Sequence, residues 1–158
     1  MIFVVLGTQK FQLNRLLQKL DEYVEKKMIS DEIFAQIGGS TYKPKYYKYA
    51  EFMDKKDFDE TIRKADVIIS HSGVGTIITA INAQKPVVVY PRLAKYKEHV
   101  DDHQLDIAKA FATKKYVLCC YENDDLLEKI NTSREYHFDE YVSQQKQIVG
   151  IIKKFMED

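Results

Sequence analysis

The chain has 158 residues, 45% of them apolar and 30% charged, a balance that fits one soluble domain with a real core. It has 24 Lys and Arg against 24 Asp and Glu, so no global positive field advertises nucleic acid, although "KPKYYKY" is a local Lys-rich patch. "MIFVVLG" lacks the basic leader of a signal peptide, and no run reaches the roughly 20 apolar residues of a spanning helix. A cytoplasmic protein is expected. The only cysteines, Cys119 and Cys120, are adjacent, poorly placed to bridge each other, and read as buried strand residues.

"IFVVLG" predicts a first strand ending at Gly7. Phe11, Leu13, Leu16, Leu17, Leu20 and Val24 then recur at helical spacing. "IFAQIGG" (Ile33 to Gly39) predicts a second strand. The alternation after Pro44 suggests a third, whose lysines would guard a solvated edge; the aromatic-basic stretch could otherwise stack bases. Asp57 is expected to cap the helix "FDETIRKA", and "DVIIS" is the next strand. Gly75 to Ala83 predicts a small-residue helix, "PVVVY" a strand and Val100 to Ala112 a helix. "KYVLCC" closes the sheet, followed by helices from about Asp124 to Ile130 and from Tyr141 to Met156. Uniformly apolar strands alternating with helices imply an α/β, Rossmann-like, doubly wound and mainly parallel sheet. The whole of 1–158 is read as a single domain.

Ligands in such a sheet sit beyond the carboxyl ends of the strands, where three segments carry unusual residues. They are Gly7-Thr8-Gln9, Ser70 to Thr76, and Pro91 to Gln104. In "SHSGVGT", Gly73 and Gly75 allow close backbone approach, and the helix start offers free N–H groups with partial positive charge. Ser72 and Thr76 can donate, and His71 stands within reach of a phosphate. An ordinary capped strand-to-helix turn explains the same residues. The stretch is neither a dinucleotide fingerprint nor a P-loop.

"KEHVDDHQ" gathers His99, Asp101, Asp102, His103 and Gln104. On a helix, His99 and His103 would share a face while the aspartates point elsewhere, and HExxH is absent, so no metal is expected. Helix-start capping or recognition of sugar hydroxyls remains, and Asp with Gln suits adjacent hydroxyls. No Ser/His/Asp nucleophile set is apparent.

Taken together, "ADVIISHSGVGTIITAINAQKPVVVYPR" and "DDHQLDIA" resemble the donor-binding C-terminal half of GT-B glycosyltransferases, the family 28 C-terminal domain. That half occurs in the lipid II N-acetylglucosaminyltransferase and forms the small subunit of the dolichol-linked UDP-GlcNAc transferase. The opening "VVLGTQKFQLNRLL" is similar to the start of that subunit. "PRLAKYKEHVDDHQ" is closer to the small catalytic subunit of bacterial two-component capsular or exopolysaccharide galactosyltransferases.

The resemblance implies that His71, Ser72, Gly73, Gly75 and Thr76 hold the donor diphosphate. Asp102, His103 and Gln104 would border the donor sugar, and Gly7 and Thr8 would face the acceptor side. Where many relatives carry a ribose-binding Glu, this chain has the shorter, neutral Thr79. The implied protein is an inverting transferase subunit that moves a hexose, galactose first among candidates, from a UDP-sugar to a lipid-linked saccharide. The UDP-sugar is substrate, and no cofactor is implied. A membrane-associated acceptor-binding subunit would supply the base and hold the pair at the inner face of the plasma membrane. The helix at 141–156 could dock on it. A non-catalytic enhancer that only stabilises such a partner is the alternative, and Thr79 favours it.

Overall fold

The computed structural model describes residues 1–139. Six parallel strands run in the order β3-β2-β1-β4-β5-β6. They are β1 (Ile2–Val5), β2 (Ile33–Gln36), β3 (Lys48–Ala50), β4 (Val67–Ser70), β5 (Val87–Val89) and β6 (Leu118–Cys119). The helices are α1 (Asn14–Glu25), α2 (Lys55–Lys64), α3 (Val74–Asn82), α4 (His103–Thr113) and α5 (Leu126–Ser133), with a 3₁₀ turn at Ala94–Tyr96. The expected α/β doubly wound fold is present. The expected helix at 141–156 lies outside the described residues.

Side-chain alternation along each strand divides the core between the two faces of the sheet. Ile2, Val4, Leu6, Val67, Ile69 and Cys120 meet Leu16, Leu17 and Leu20 of α1 and Leu126 and Ile130 of α5. Phe3, Val5, Ile68, Val87, Val89 and Cys119 meet Ile62 of α2, Ile77 and Ala80 of α3, and Ile107 and Phe111 of α4. The neighbouring cysteines thus face opposite sides, both free and buried, and burial pushes both thiols up to about 12. β3 is one of the two edge strands, and the lysine-flanked stretch lies there. Two of its tyrosines are tied inward, Tyr42 to the Asp21 carboxylate and Tyr47 to the Leu17 carbonyl.

Three of the element starts that differ from the periodic reading are instructive, while β6 simply begins at Leu118 rather than Lys115. Helix α1 begins at Asn14 rather than Phe11, because the Phe11 and Gln12 carbonyls are drawn into a side-chain network instead of a helical ladder. Asp54, not Asp57, caps α2: its extended backbone lets Oδ1 accept from the Asp57 N–H at 2.8 Å. Helix α4 begins at His103 rather than Val100, which is 79% exposed. His99 therefore lies in the preceding loop and shares no helix face with His103. Among the described residues no helix is long and apolar enough to cross a membrane.

Chain order reverses between β1 and β4, which are neighbours in the sheet. Loops leaving the two strands diverge to opposite faces, and the crevice between them is where such sheets take ligands. Gly7 follows β1, and His71 follows β4 with its N–H on the Val5 carbonyl at 3.0 Å.

Candidate functional site

A cleft of about 600 Å³ opens at this switch point, inside the size range of small-molecule sites. Gly7, Thr8 and Gln9 form one wall, and His71, Ser72, Gly73, Gly75 and Thr76 form the facing wall. His99 from the β5–α4 loop and His103 and Gln104 from the first turn of α4 close it, while Met53 and Phe58 give it an apolar end. No Asp or Glu is among these lining residues, so nothing on the walls repels an anion.

Gly73 caps α3 with extended backbone and no side-chain bond. The amides of the first α3 turn have no partner inside the helix, which leaves them directed at the cleft. A Cβ on Gly75 would meet nothing within 4 Å, so that stretch of backbone is open to a ligand. The Ser72 Oγ is buried and has no hydrogen-bond partner.

His71 is the side chain around which this wall is built. Its ring is sandwiched between two glycines: a Cβ on Gly7 would sit 2.7 Å from Nε2, and one on Gly73 would strike Cε1. Gly7 also adopts φ +78°, a conformation that L side chains rarely hold. Behind the ring, Arg92 Nη1 lies 3.0 Å from Nδ1. A guanidinium only donates, so Nδ1 accepts and Nε2 carries the proton of the neutral ring. That N–H faces the Thr76 Oγ1 at 3.4 Å and the cleft. Burial, with the Arg92 cation beside it, pushes the imidazole down to about 3, so the ring is neutral at physiological pH.

Arg92 is 1% exposed. Its Nη2 donates to the carbonyls of Leu6 (2.9 Å) and Phe11 (3.0 Å), and its Nε to that of Gln12 (3.3 Å). Burial brings the guanidinium down to about 10, which leaves it charged. The neighbouring buried carboxylate, Glu98, is engaged elsewhere: it accepts from Arg15 Nε and Nη2 at 2.9 and 3.0 Å and from the Leu93 N–H at 2.9 Å. Arg15 in turn lies over the rings of Tyr90 and Tyr96.

The second polar cluster divides. Gln104 is buried, and its Oε1 accepts from the N–H groups of Arg92 (3.1 Å) and Ser72 (3.4 Å), so only its amide nitrogen is left for the cleft. His103 lines the cleft at the start of α4, its N–H bonded to the Asp101 carboxylate at 3.0 Å. Asp102 stands apart: its Oδ1 accepts from the Ala94 N–H at 2.8 Å and it lines a neighbouring hollow of about 310 Å³. Thr79 sits one turn along α3 outside the cleft lining, its hydroxyl donating to the Gly75 carbonyl at 2.9 Å.

Residues 1–157 match the model of the glycosyltransferase family 28 C-terminal domain. The chain belongs to that family. It is 28% identical over 131 residues to the human UDP-N-acetylglucosamine transferase subunit ALG13, covering 75% of this chain and 11% of that protein. It is 30% identical over 115 residues to the Prochlorococcus marinus UDP-N-acetylglucosamine–N-acetylmuramyl-(pentapeptide) pyrophosphoryl-undecaprenol N-acetylglucosamine transferase, covering 70% of this chain and 31% of that one. The chain thus spans well under half the length of these two relatives. Among solved structures, the solution structure of ALG13 superposes with a TM-score of 0.57 at 17% identity, covering 94% of both chains. Acinetobacter baumannii MurG gives 0.54 at 18% identity, with this chain covering 44% of it. The fold is that of GT-B C-terminal domains.

In this family 28 domain the structure brings together Gly7, Thr8, His71, Ser72, Gly73, Gly75, Thr76, His103 and Gln104, and leaves Asp102 and Thr79 outside the cleft. Arg92 and the apolar end at Met53 and Phe58 were not singled out from the sequence. A charged residue directly after the buried strand "VVVYP" was the available signal for Arg92. Nothing local marked Met53 or Phe58, which reach the cleft through the packing of α2.

Proposed function

We propose that the chain is the donor-binding half of a two-component, inverting GT-B glycosyltransferase. It binds a UDP-sugar in the β1–β4 cleft, and the hexose goes to a lipid-linked saccharide presented by a membrane-associated partner subunit. The observation that carries this reading is the convergence of uncommitted donors on one wall free of carboxylates. The α3 start, the His71 ring and Ser72 all belong to one wall of that cleft, and the Ser72 Oγ, though buried, has no partner. A diphosphate is the ligand chemistry that uses such a set, and stabilising it as a leaving group is the part of the transfer this half performs. In this arrangement the base lies along Met53 and Phe58, and the sugar lies toward His103 and the Gln104 amide.

We assign the base that the acceptor hydroxyl needs to the partner subunit. Pairing with such a subunit would hold the chain at the inner face of the plasma membrane. The printed names of the relatives make UDP-N-acetylglucosamine the first donor to assay. UDP-galactose, with a role in capsule or exopolysaccharide synthesis, rests on the likeness of "PRLAKYKEHVDDHQ" alone. The second reading, an enhancer that binds no nucleotide, draws on Thr79, whose hydroxyl proton is already given to Gly75.

Gly75→Val tests the site. Its Cβ enters open space, so the thermal midpoint should stay within a few degrees while UDP affinity by calorimetry falls about tenfold or more. A folded Gly75→Val protein with undiminished UDP affinity would remove the phosphate assignment. A wild-type chain that binds no UDP even beside its partner would favour the enhancer.

A further inference from the structure

We propose that Arg92 is a positioning residue: through Nδ1 it locks His71 as an Nε2–H donor and ties the β1–α1 loop to the same imidazole. The proposal rests on the diphosphate reading above and deepens it.

The geometry carries it in three steps. Arg92 is a buried cation whose bonds go to three main-chain carbonyls and one imidazole nitrogen, with no carboxylate of the described residues within ion-pair distance. Main-chain carbonyls alone would hold such a fork in place, so the bond to Nδ1 is the one with a chemical consequence. It removes the tautomeric freedom that a neutral imidazole otherwise has. Second, the ring is seated closely against Gly7 and Gly73: a Cβ on Gly7 would fall 2.7 Å from Nε2 and one on Gly73 would strike Cε1, so neither position has room for more than hydrogen beside it. Third, the carbonyls held by Arg92 belong to Leu6, Phe11 and Gln12, which bracket Gly7 and Thr8 on the opposite wall. One side chain therefore sets the spacing between both walls and the orientation of the donor between them. Its charge lies directly behind that donor, so an anion in front gains attraction through a ring that stays neutral.

The test has two readouts on the 158-residue chain. Two-bond ¹H–¹⁵N correlation of the His71 imidazole, without ligand, reports the tautomer directly. Titration with UDP and with uridine, followed by amide chemical shifts, separates the diphosphate from the nucleoside. Arg92→Gln removes the donor to Nδ1. Arg92→Lys retains a buried cation with a single ammonium in place of the fork, and serves if the Gln variant does not fold.

The wild-type ring should be wholly Nε2–H, and either variant should shift it to a mixture or to Nδ1–H. UDP affinity should fall about tenfold or more in the Gln variant and less in the Lys variant, while uridine affinity holds within about twofold. A wild-type Nδ1–H ring would overturn the proposal, as would an Nε2–H ring that survives in a folded Arg92→Gln protein. Equal losses for UDP and uridine would make Arg92 a general scaffold residue and overturn it too. A wild-type chain with the Nε2–H ring that binds UDP no better than uridine would instead remove the diphosphate reading, and this role with it.

Discussion

The short loop after β4, His71 to Gly73, and the long loop after β5, Tyr90 to Asp102, are both dense in polar residues, yet the structure uses them oppositely. The β4 loop leaves more of its donors unused: the Ser72 Oγ has no partner, the backbone at Gly75 is open, and the His71 Nε2–H has only the long contact to Thr76 Oγ1 at 3.4 Å. The β5 loop has most of its polar groups engaged already. Glu98 holds Arg15 and the Leu93 N–H, Asp101 holds the His103 N–H, and Asp102 holds the Ala94 N–H. Gln104 Oε1 joins the two loops by accepting from both Arg92 and Ser72. A polar cluster in a sequence is thus evidence of a site only after its internal partners have been counted.

The largest expected effect breaks the open loop. Gly73→Ala places a methyl group against the His71 ring, and Gly7→Ala adds the strain of a non-glycine residue at φ +78° to a contact at 2.7 Å. The imidazole must leave its seat between them and give up Arg92. Each variant should lose about 2–4 kcal/mol in urea unfolding together with measurable UDP binding. Full UDP affinity in either would show that His71 does not need this position.

Next comes the tether. Gln104→Leu leaves two buried N–H groups bare, at about 1–3 kcal/mol apiece. Gln104→Glu keeps the acceptor and removes the amide donor, but it also brings a buried negative charge to the cleft. It should therefore cost some stability and some UDP affinity, and lose affinity for the UDP-sugar more than for UDP. Equal losses for the two ligands would confine Gln104 to joining the loops.

These two loops also mark how far the sequence can be read. The sheet was legible because each buried strand is an uninterrupted apolar run, and burial on both faces is what such a run requires. The cleft wall at the start of α3 was legible because glycines before a small-residue helix have a local backbone meaning. What was missed depends on distant partners. Arg92 meets Leu6 and Phe11 from more than 80 positions away, and Arg15 meets Glu98 from 83. No periodicity encodes such pairs. The same contacts displaced the start of α1, and the shift of the α2 cap to Asp54 turned on loop geometry that composition does not carry.

The pH dependence of stability sharpens the buried side of the comparison. His71 has a folded value near 3, against about 6.5 when unfolded. The depression disfavours the charged ring in the fold, so as pH falls below about 6.5 the unfolded chain takes up a proton that the folded chain refuses. Stability is therefore lost from about pH 6.5 down toward 3, at up to roughly 1.4 kcal/mol per pH unit from this group. Other titrating groups contribute as well, so the measurement is the difference between wild type and His71→Gln. The wild-type curve should fall more steeply across that window, and parallel curves would mean that the ring titrates normally.

The smallest expected effect concerns Asp102, which the resemblance assigns to the donor sugar and the structure turns toward the neighbouring hollow. Its carboxylate meets the Ala94 N–H on an exposed part of the loop, where one hydrogen bond contributes about 0.5–1.5 kcal/mol. Asp102→Ala should lower stability by that amount and leave affinity for UDP and UDP-sugar within about twofold. Were Asp102 a sugar ligand, the variant would keep UDP affinity and lose the UDP-sugar, a selectivity of the same sign as that expected of Gln104→Glu. Running both variants against the same two ligands decides which end of the DDHQ stretch reads the sugar. A selective loss in Asp102→Ala would mean that the β5 loop reorganises on binding and releases the Ala94 contact. A selective loss in Gln104→Glu alone would leave Asp102 as the pin that holds the loop while its neighbour two residues on does the reading.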